Sequence, residues 1–165
     1  MKRIPAILLA GAMAAGLSCN DPAGPGPITE LPRDLSVTET ELIEASNSFA
    51  FGLLDEVRKA HPDSPNTFLS PLSASMALGM TLNGAEGDTW TQMRDVLGFQ
   101  GMEEESVNEA YRSLIDLLLE VDPAVELGLG NALWVDEVTL RPGFVDRVQT
   151  YFDAEVDALD FDDPA

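Results

Sequence analysis

The sequence predicts an α+β fold in which helices outweigh strands, and three observations point there. An uncharged segment, Pro71 to Asn83, carries apolar side chains around its whole circumference; the run from Val125 to Asp136 alternates with period two; and several amphipathic stretches open on a cap or a proline and close on a glycine or a proline. The chain has 165 residues, 45% of them hydrophobic, and a mean hydropathy of +0.01. That is enough apolar surface for one core, and it argues against wholesale disorder.

The start of the chain reads as an address. Lys2 and Arg3 precede an apolar run from Ile4 to Leu17, too short to span a bilayer comfortably but suited to a secretory signal, so residues 1–18 are assigned to a signal peptide. The run ends in Gly16-Leu17-Ser18-Cys19, which resembles a bacterial lipoprotein box with its leucine one place nearer the cysteine than usual. Lipidation of Cys19 is the favoured reading, because an unpaired cysteine in an exported protein has no other evident role. Ordinary cleavage near Ala14 or Gly16 is the alternative. Residues 19–36, rich in proline and glycine at their start, form a flexible tether, and residues 37–165 form the folded part.

Thr38 followed by Glu41 has the form of a capping box and opens a first helix, whose apolar positions include Leu42, Phe49, Leu53 and Val57. That helix stops before His61-Pro62, since a proline disfavours helical geometry in the residue before it. Thr67, Phe68 and Leu69 suggest a short strand. Ser70 then caps, and Pro71 starts, the uncharged helix, which must be buried all round and which Gly84 closes in a left-handed conformation. Thr89 and Gln92 form a second capping box for a short helix ended by Gly98. Glu103, Glu104 and Glu105 supply negative charge at the start of the next, whose apolar face runs from Val107 to Val121. A long strand follows over 125–136, interrupted in its alternation only by the polar Asn131. Pro142 opens a last helix with Phe144, Val148 and Phe152 on one side, and Ala154 to Phe161 is a final strand.

Composition excludes several functions. Nine basic against 29 acidic residues give a net charge of −20, and loss of the leader makes it −22, so nucleic acid and anionic membranes repel the chain. Membrane association is expected only through a lipid on Cys19. With one cysteine, Cys19, and one histidine, His61, intrachain disulfides are impossible, and zinc sites built from those ligands are effectively ruled out. A serine–histidine nucleophile would need His61, which is read as an exposed helix-end residue. Asp157, Asp160, Asp162 and Asp163 lack the spacing and the terminal glutamate of a calcium loop. No phosphate-binding loop, nucleophile elbow or complete dinucleotide fingerprint is present. The chain is accordingly read as a non-enzyme without cofactor or metal.

Three stretches carry a family resemblance: Asn47-Ser48-Phe49-Ala50-Phe51-Gly52-Leu53-Leu54; Asn66-Thr67-Phe68-Leu69-Ser70-Pro71-Leu72-Ser73 with Met76-Ala77-Leu78, Gly84-Ala85, Thr89, Gln92-Met93 and Leu97; and Gly130-Asn131-Ala132-Leu133-Trp134-Val135. In this order and spacing they resemble a serpin, and the likeness continues through Phe152 and Ala154 to Phe161. The resemblance implies helix A, a strand of sheet B, helices B, C and D, strand 2 of sheet A, helix E and strand 1 of sheet A. It places Ser70 and Ser73 in the shutter region at the start of helix B, beneath sheet A.

The resemblance also implies a function. A serpin presents a reactive loop to a serine or cysteine protease; cleavage forms an acyl-enzyme, and the loop inserts into sheet A and traps the target. That loop belongs to the later part of a serpin, so the chain is read as an N-terminal fragment, ending where helix F begins and non-inhibitory by itself. The intact product is expected to be an exported protease inhibitor, extracellular or periplasmic. The alternative is a non-inhibitory serpin-like binding or structural lipoprotein.

Overall fold

The computed structural model describes residues 28–136 and 138–162. The elements are α1 (Val37–Ala60), α2 (Pro71–Leu82), α3 (Gly87–Leu97), α4 (Glu104–Glu120), β1 (Asn131–Val135), α5 (Pro142–Phe152) and β2 (Ala154–Ala158). The helices thus fall where capping and periodicity predict them, with differences at their ends. Ser36, not Thr38, caps α1: its hydroxyl accepts from the Glu39 amide at 3.1 Å while the Glu39 carboxylate accepts from the Ser36 amide at 2.7 Å. Two overlapping Ser/Thr-x-x-Glu patterns compete there, and the upstream one prevails because Glu39 also meets Arg33.

Ser70 caps α2 as expected, through the Ser73 amide, and Pro71 occupies the first turn. Gly84 is not left-handed. Its need for glycine is spatial, since a Cβ there would stand 3.0 Å from the Phe144 ring. The expected Thr89–Gln92 cap does not form either: α3 begins two residues earlier, at Gly87 with φ +62°, so Thr89 lies inside the first turn. Gly98 ends α3 where the sequence predicts, and does so in the left-handed conformation, at φ +80°.

The core gathers Leu42 from α1, Met76 and Met80 from α2, Leu97 and Phe99 at the end of α3, Val107, Tyr111 and Ile115 from α4, and Val148 and Phe152 from α5. Tyr111 is its hinge point. The ring packs edge-on to Phe99 at 6.1 Å and tilted against Phe152 at 5.0 Å. Gly79 makes room for it, because a Cβ there would fall 3.1 Å from Tyr111 and 3.3 Å from Phe152. Among the described residues α2 is not buried all round: Leu72 is 42% exposed, and Ser73, Ala77 and Thr81 lie on the same uncovered side. Helix α2 packs against α1, α3 and α5, which cover one face only.

Strands β1 and β2 pair in parallel, from Asn131 opposite Ala154 to Val135 opposite Ala158, with α5 as the crossover between them. Both strands are shorter than the alternation predicts. The pairing ends where the Leu159 amide donates to the Val135 carbonyl at 2.9 Å; residues 125–130 and 160–161 have no ladder partner among the described residues, and a strand persists only where its N–H and C=O groups are paired. The same reason removes the strand expected at Thr67–Leu69, where Phe68 stands 98% exposed. The polar interruption at Asn131 has a purpose: its Nδ2 donates to the Phe152 carbonyl at 2.7 Å, satisfying an orphan group at the end of α5 and holding β1 against it.

Candidate functional site

The residues singled out from the sequence, Ser70 and Ser73, sit where α2 begins. Their hydroxyls are 2.8 Å apart and hydrogen-bonded, and Ser70 also accepts from the Ser73 amide at 3.4 Å. Both are exposed on the uncovered side of α2. Among the described residues neither hydroxyl has an imidazole or carboxylate partner, so the pair is not an activated nucleophile. It is a polar patch at the start of an uncharged helix.

One turn deeper lies a pair that sequence reasoning missed. Ser75, 2% exposed, bonds through Oγ to the Tyr111 hydroxyl at 2.9 Å, and Tyr111 Oη also donates toward the Ser75 carbonyl at 3.3 Å. Burial pushes the phenol up to about 12, and the bond to Ser75 pulls it partly back. The sequence held a signal for this contact, a serine among apolar neighbours on a helix where every buried hydroxyl needs a partner, but not the partner's identity.

At the other end of α2 three elements meet in a second polar junction. Asn83 Nδ2 donates to Asn108 Oδ1 at 2.9 Å and to the Gly79 carbonyl at 3.0 Å, and Asn108 Nδ2 returns a bond to Asn83 Oδ1 at 2.8 Å. From α5, Arg147 Nε donates to the same Asn83 Oδ1 at 3.1 Å and its Nη2 to the Asn83 carbonyl at 2.8 Å. Asn83 is 6% and Asn108 1% exposed, so the junction is buried and satisfied. Asn131 ties β1 to the far end of α5, and Arg147 ties α5 to α2, so the two-stranded sheet is seated relative to α2 by polar bonds at both ends.

Between α2, β1 and the start of α5 lies an open cleft of about 1170 Å³, lined by Met80, Asn83, Leu133, Leu140, Phe144 and Arg147 among others. Its floor is the exposed side of α2, and β1 forms one wall with its second edge unpaired among the described residues. The arrangement holds a sheet above a helix and leaves both open to further structure.

The other sequence-predicted positions take no part. His61 is an exposed residue capping the end of α1. Asp157 and Asp160 accept from nearby backbone amides, those of Ala158 at 2.8 Å and Asp162 at 2.9 Å. Asp163 and Cys19 lie outside the described residues, as does the whole of segment 1–27. No described helix is long and apolar enough to cross a membrane.

Comparison with known proteins accounts for this arrangement. The model of one family, Serpin (serine protease inhibitor), matches residues 44–165. Corticosteroid-binding globulin of Oryctolagus cuniculus is 38% identical over 125 residues, 74% of this chain and 32% of that protein. A serpin-like protein of Methanosarcina acetivorans is 32% identical over 128 residues, 76% of this chain and 30% of its own length. Among solved structures, reactive-loop-cleaved human thyroxine-binding globulin superposes with a TM-score of 0.67 at 30% identity, over 75% of this chain and 37% of that one. The chain therefore spans about a third of the length of the relatives it matches. With the family model covering most of the chain and the same fold in its relatives, the chain belongs to the serpin family.

Proposed function

We propose that this chain is the N-terminal part of an exported inhibitor of serine-type endopeptidases that works by conformational trapping. The observation that carries the reading is the family match over residues 44–165, to a family described as serine protease inhibitors. In the intact product a target protease cleaves a reactive loop encoded beyond this chain, forms an acyl-enzyme on it, and is trapped as the loop enters sheet A as a new strand. Ser70 and Ser73 would act there as shutter residues, exchanging hydrogen bonds between the closed and the expanded sheet. The 165 residues alone trap no protease.

The leader supports export to the extracellular or periplasmic space: a basic start, a short apolar run and Cys19 followed by a Pro/Gly tether fit a bacterial lipoprotein anchored through that cysteine. The partner is a serine or cysteine protease, and no cofactor or catalytic role belongs to the chain itself.

A second reading is a non-inhibitory binding or structural lipoprotein. Two relatives favour it by name, a corticosteroid-binding and a thyroxine-binding globulin. One experiment separates the two. The complete gene product, incubated with trypsin-, chymotrypsin- and papain-like proteases, forms a one-to-one complex that survives denaturing electrophoresis if it is an inhibitor. Cleavage of the loop with no such complex and no loss of protease activity, for every class tried, overturns the inhibitory reading.

A further inference from the structure

Upstream of α1 the chain runs from Ile28 to Leu35 without helix or strand, yet one side chain in it is held at several points. Arg33 Nη1 donates to Glu39 Oε2 at 2.9 Å and to the Asp34 carbonyl at 3.0 Å; Nη2 donates to Glu39 Oε1 at 2.5 Å, to Ser113 Oγ at 2.8 Å and to the Ser113 carbonyl at 3.2 Å. The guanidinium thus joins the arm to α1 and to the middle of α4, residues 80 positions away in sequence. The planar fork is needed for this: two parallel bonds to one carboxylate leave one Nη1 hydrogen for the Asp34 carbonyl and one Nη2 hydrogen shared by the two Ser113 oxygens, a geometry an ammonium cannot reproduce. On the receiving side Glu39 is 2% exposed, so its charge depends on these partners. The other charged groups around the same small cavity, Asp34 and Glu109, are acidic and give it no help.

We propose that residues 33–36 are a strap locking α1 to α4, that Arg33 is its clasp, and that cleavage of the Arg33–Asp34 bond by a trypsin-like protease releases the lock. Such a protease recognises arginine by drawing the guanidinium into an acidic pocket. Arg33 cannot occupy that pocket and hold Glu39 at once, so the clasp must open before the bond is cut. In the cut itself water adds across the amide: the carbonyl carbon of Arg33 becomes a carboxylate, and the nitrogen of Asp34 becomes an ammonium. After the cut Arg33 ends a separate segment no longer joined to α1 through the chain, so its re-docking loses the intramolecular advantage that kept the clasp closed. Glu39 is then left buried without its partner, and the α1–α4 seam loosens.

The test compares the 165-residue chain with a free peptide of residues 28–40 under limited trypsin, following the Arg33–Asp34 cut by mass spectrometry. Protection of the chain reports how seldom the clasp opens. We expect the chain to be cut at least about tenfold more slowly than the peptide, in line with an arm that is closed most of the time. Arg33→Lys, which trypsin still recognises, and Ser113→Ala should each move the chain's rate toward that of its matched peptide. Cutting after Arg94 and Arg147, inside α3 and α5 and away from the seam, should stay at the wild-type level and so show that the variants are folded. After the wild-type cut, amide exchange should rise in the first turns of α1 and around Ser113. Equal rates in wild-type chain and peptide, a comparison that needs no variant, overturn the proposal. So does protection that neither substitution reduces, or a cut chain whose α1 and α4 exchange as before.

Discussion

Glu39 is a carboxylate kept charged by its surroundings: the Arg33 guanidinium and the Ser36 amide hold it at about 2, against the desolvation that opposes them. A group whose acidity is raised by folding stabilises the folded state above its unfolded value, near 4.5, and loses that contribution as pH falls toward 2. Glu39→Gln should therefore be less stable than wild type at pH 7 in urea unfolding, and the gap should narrow as pH drops from 5 to 2. A gap independent of pH would mean the cap, not the charge, is what matters. Tyr111 has the opposite sign. Its phenol is held up to about 12 by burial, so the stability gained from keeping it neutral is whole below the unfolded value near 10 and is lost between 10 and 12. Tyr111→Phe leaves Ser75 Oγ without its partner and should cost about 1 kcal/mol at neutral pH, read as a lower thermal midpoint. Above pH 10 wild type should lose that advantage. Residue roles were legible in the sequence only where they are local. The Ser70 cap and the helix end at Gly98 follow from their neighbours, whereas Ser75 meets Tyr111 36 positions away, Asn83 meets Asn108 and Arg147 25 and 64 positions away, and Arg33 meets Ser113 80 positions away, and spacing says nothing about them.

Elements were legible where the signal is a face and blurred where it is a pairing. The amphipathic pattern of α4 and α5 and the proline starts of α2 and α5 announce helices whose identity depends on their own residues. Strands depend on a partner, so alternation over 125–136 overstates β1, which is only as long as the five residues β2 offers it. Likewise the all-round apolar α2 predicts burial that its neighbours α1, α3 and α5 supply on one side. What seats the sheet is Asn131, the one residue that breaks the alternation. Replacing it with alanine removes the donor to the Phe152 carbonyl and should cost about 1 kcal/mol, with faster amide exchange along β1 and β2 and little change in α1. Asn131→Asp should be worse, since a carboxylate beside a carbonyl oxygen has nothing to donate. Equal stability of the aspartate and asparagine forms would mean that packing alone positions the strand.

At the scale of the whole molecule the described residues have a core but not a closed surface. Phe68 is 98% exposed, Phe51 73%, Trp134 46% and Leu72 42%, and the cleft over α2 opens beside a strand with one edge unpaired among the described residues. Such an edge is a template for another chain, and exposed apolar surface adds a driving force that does not depend on sequence matching. Charge opposes it. Residues 20–165 carry 7 basic and 29 acidic side chains, a net −22, which keeps like molecules apart at low salt. Near physiological ionic strength the Debye length falls to about 8 Å, and repulsion between whole molecules is screened while short-range apolar contact is not. Expressed alone, residues 20–165 should therefore keep the helical signal of α1 to α5, bind a hydrophobic dye, and sediment as a monomer at about 10 mM salt but as growing oligomers toward about 150 mM, in step with the shrinking screening length. Glutamate substitutions at Ala132 and Trp134, the exposed positions of β1, should suppress association without lowering helix content, because they add like charge to the strand edge that a second chain must approach. A monomer at every salt concentration, with no dye binding and one cooperative melt, would show that the edge and the cleft are closed in solution and that α2 is covered by something other than a partner chain.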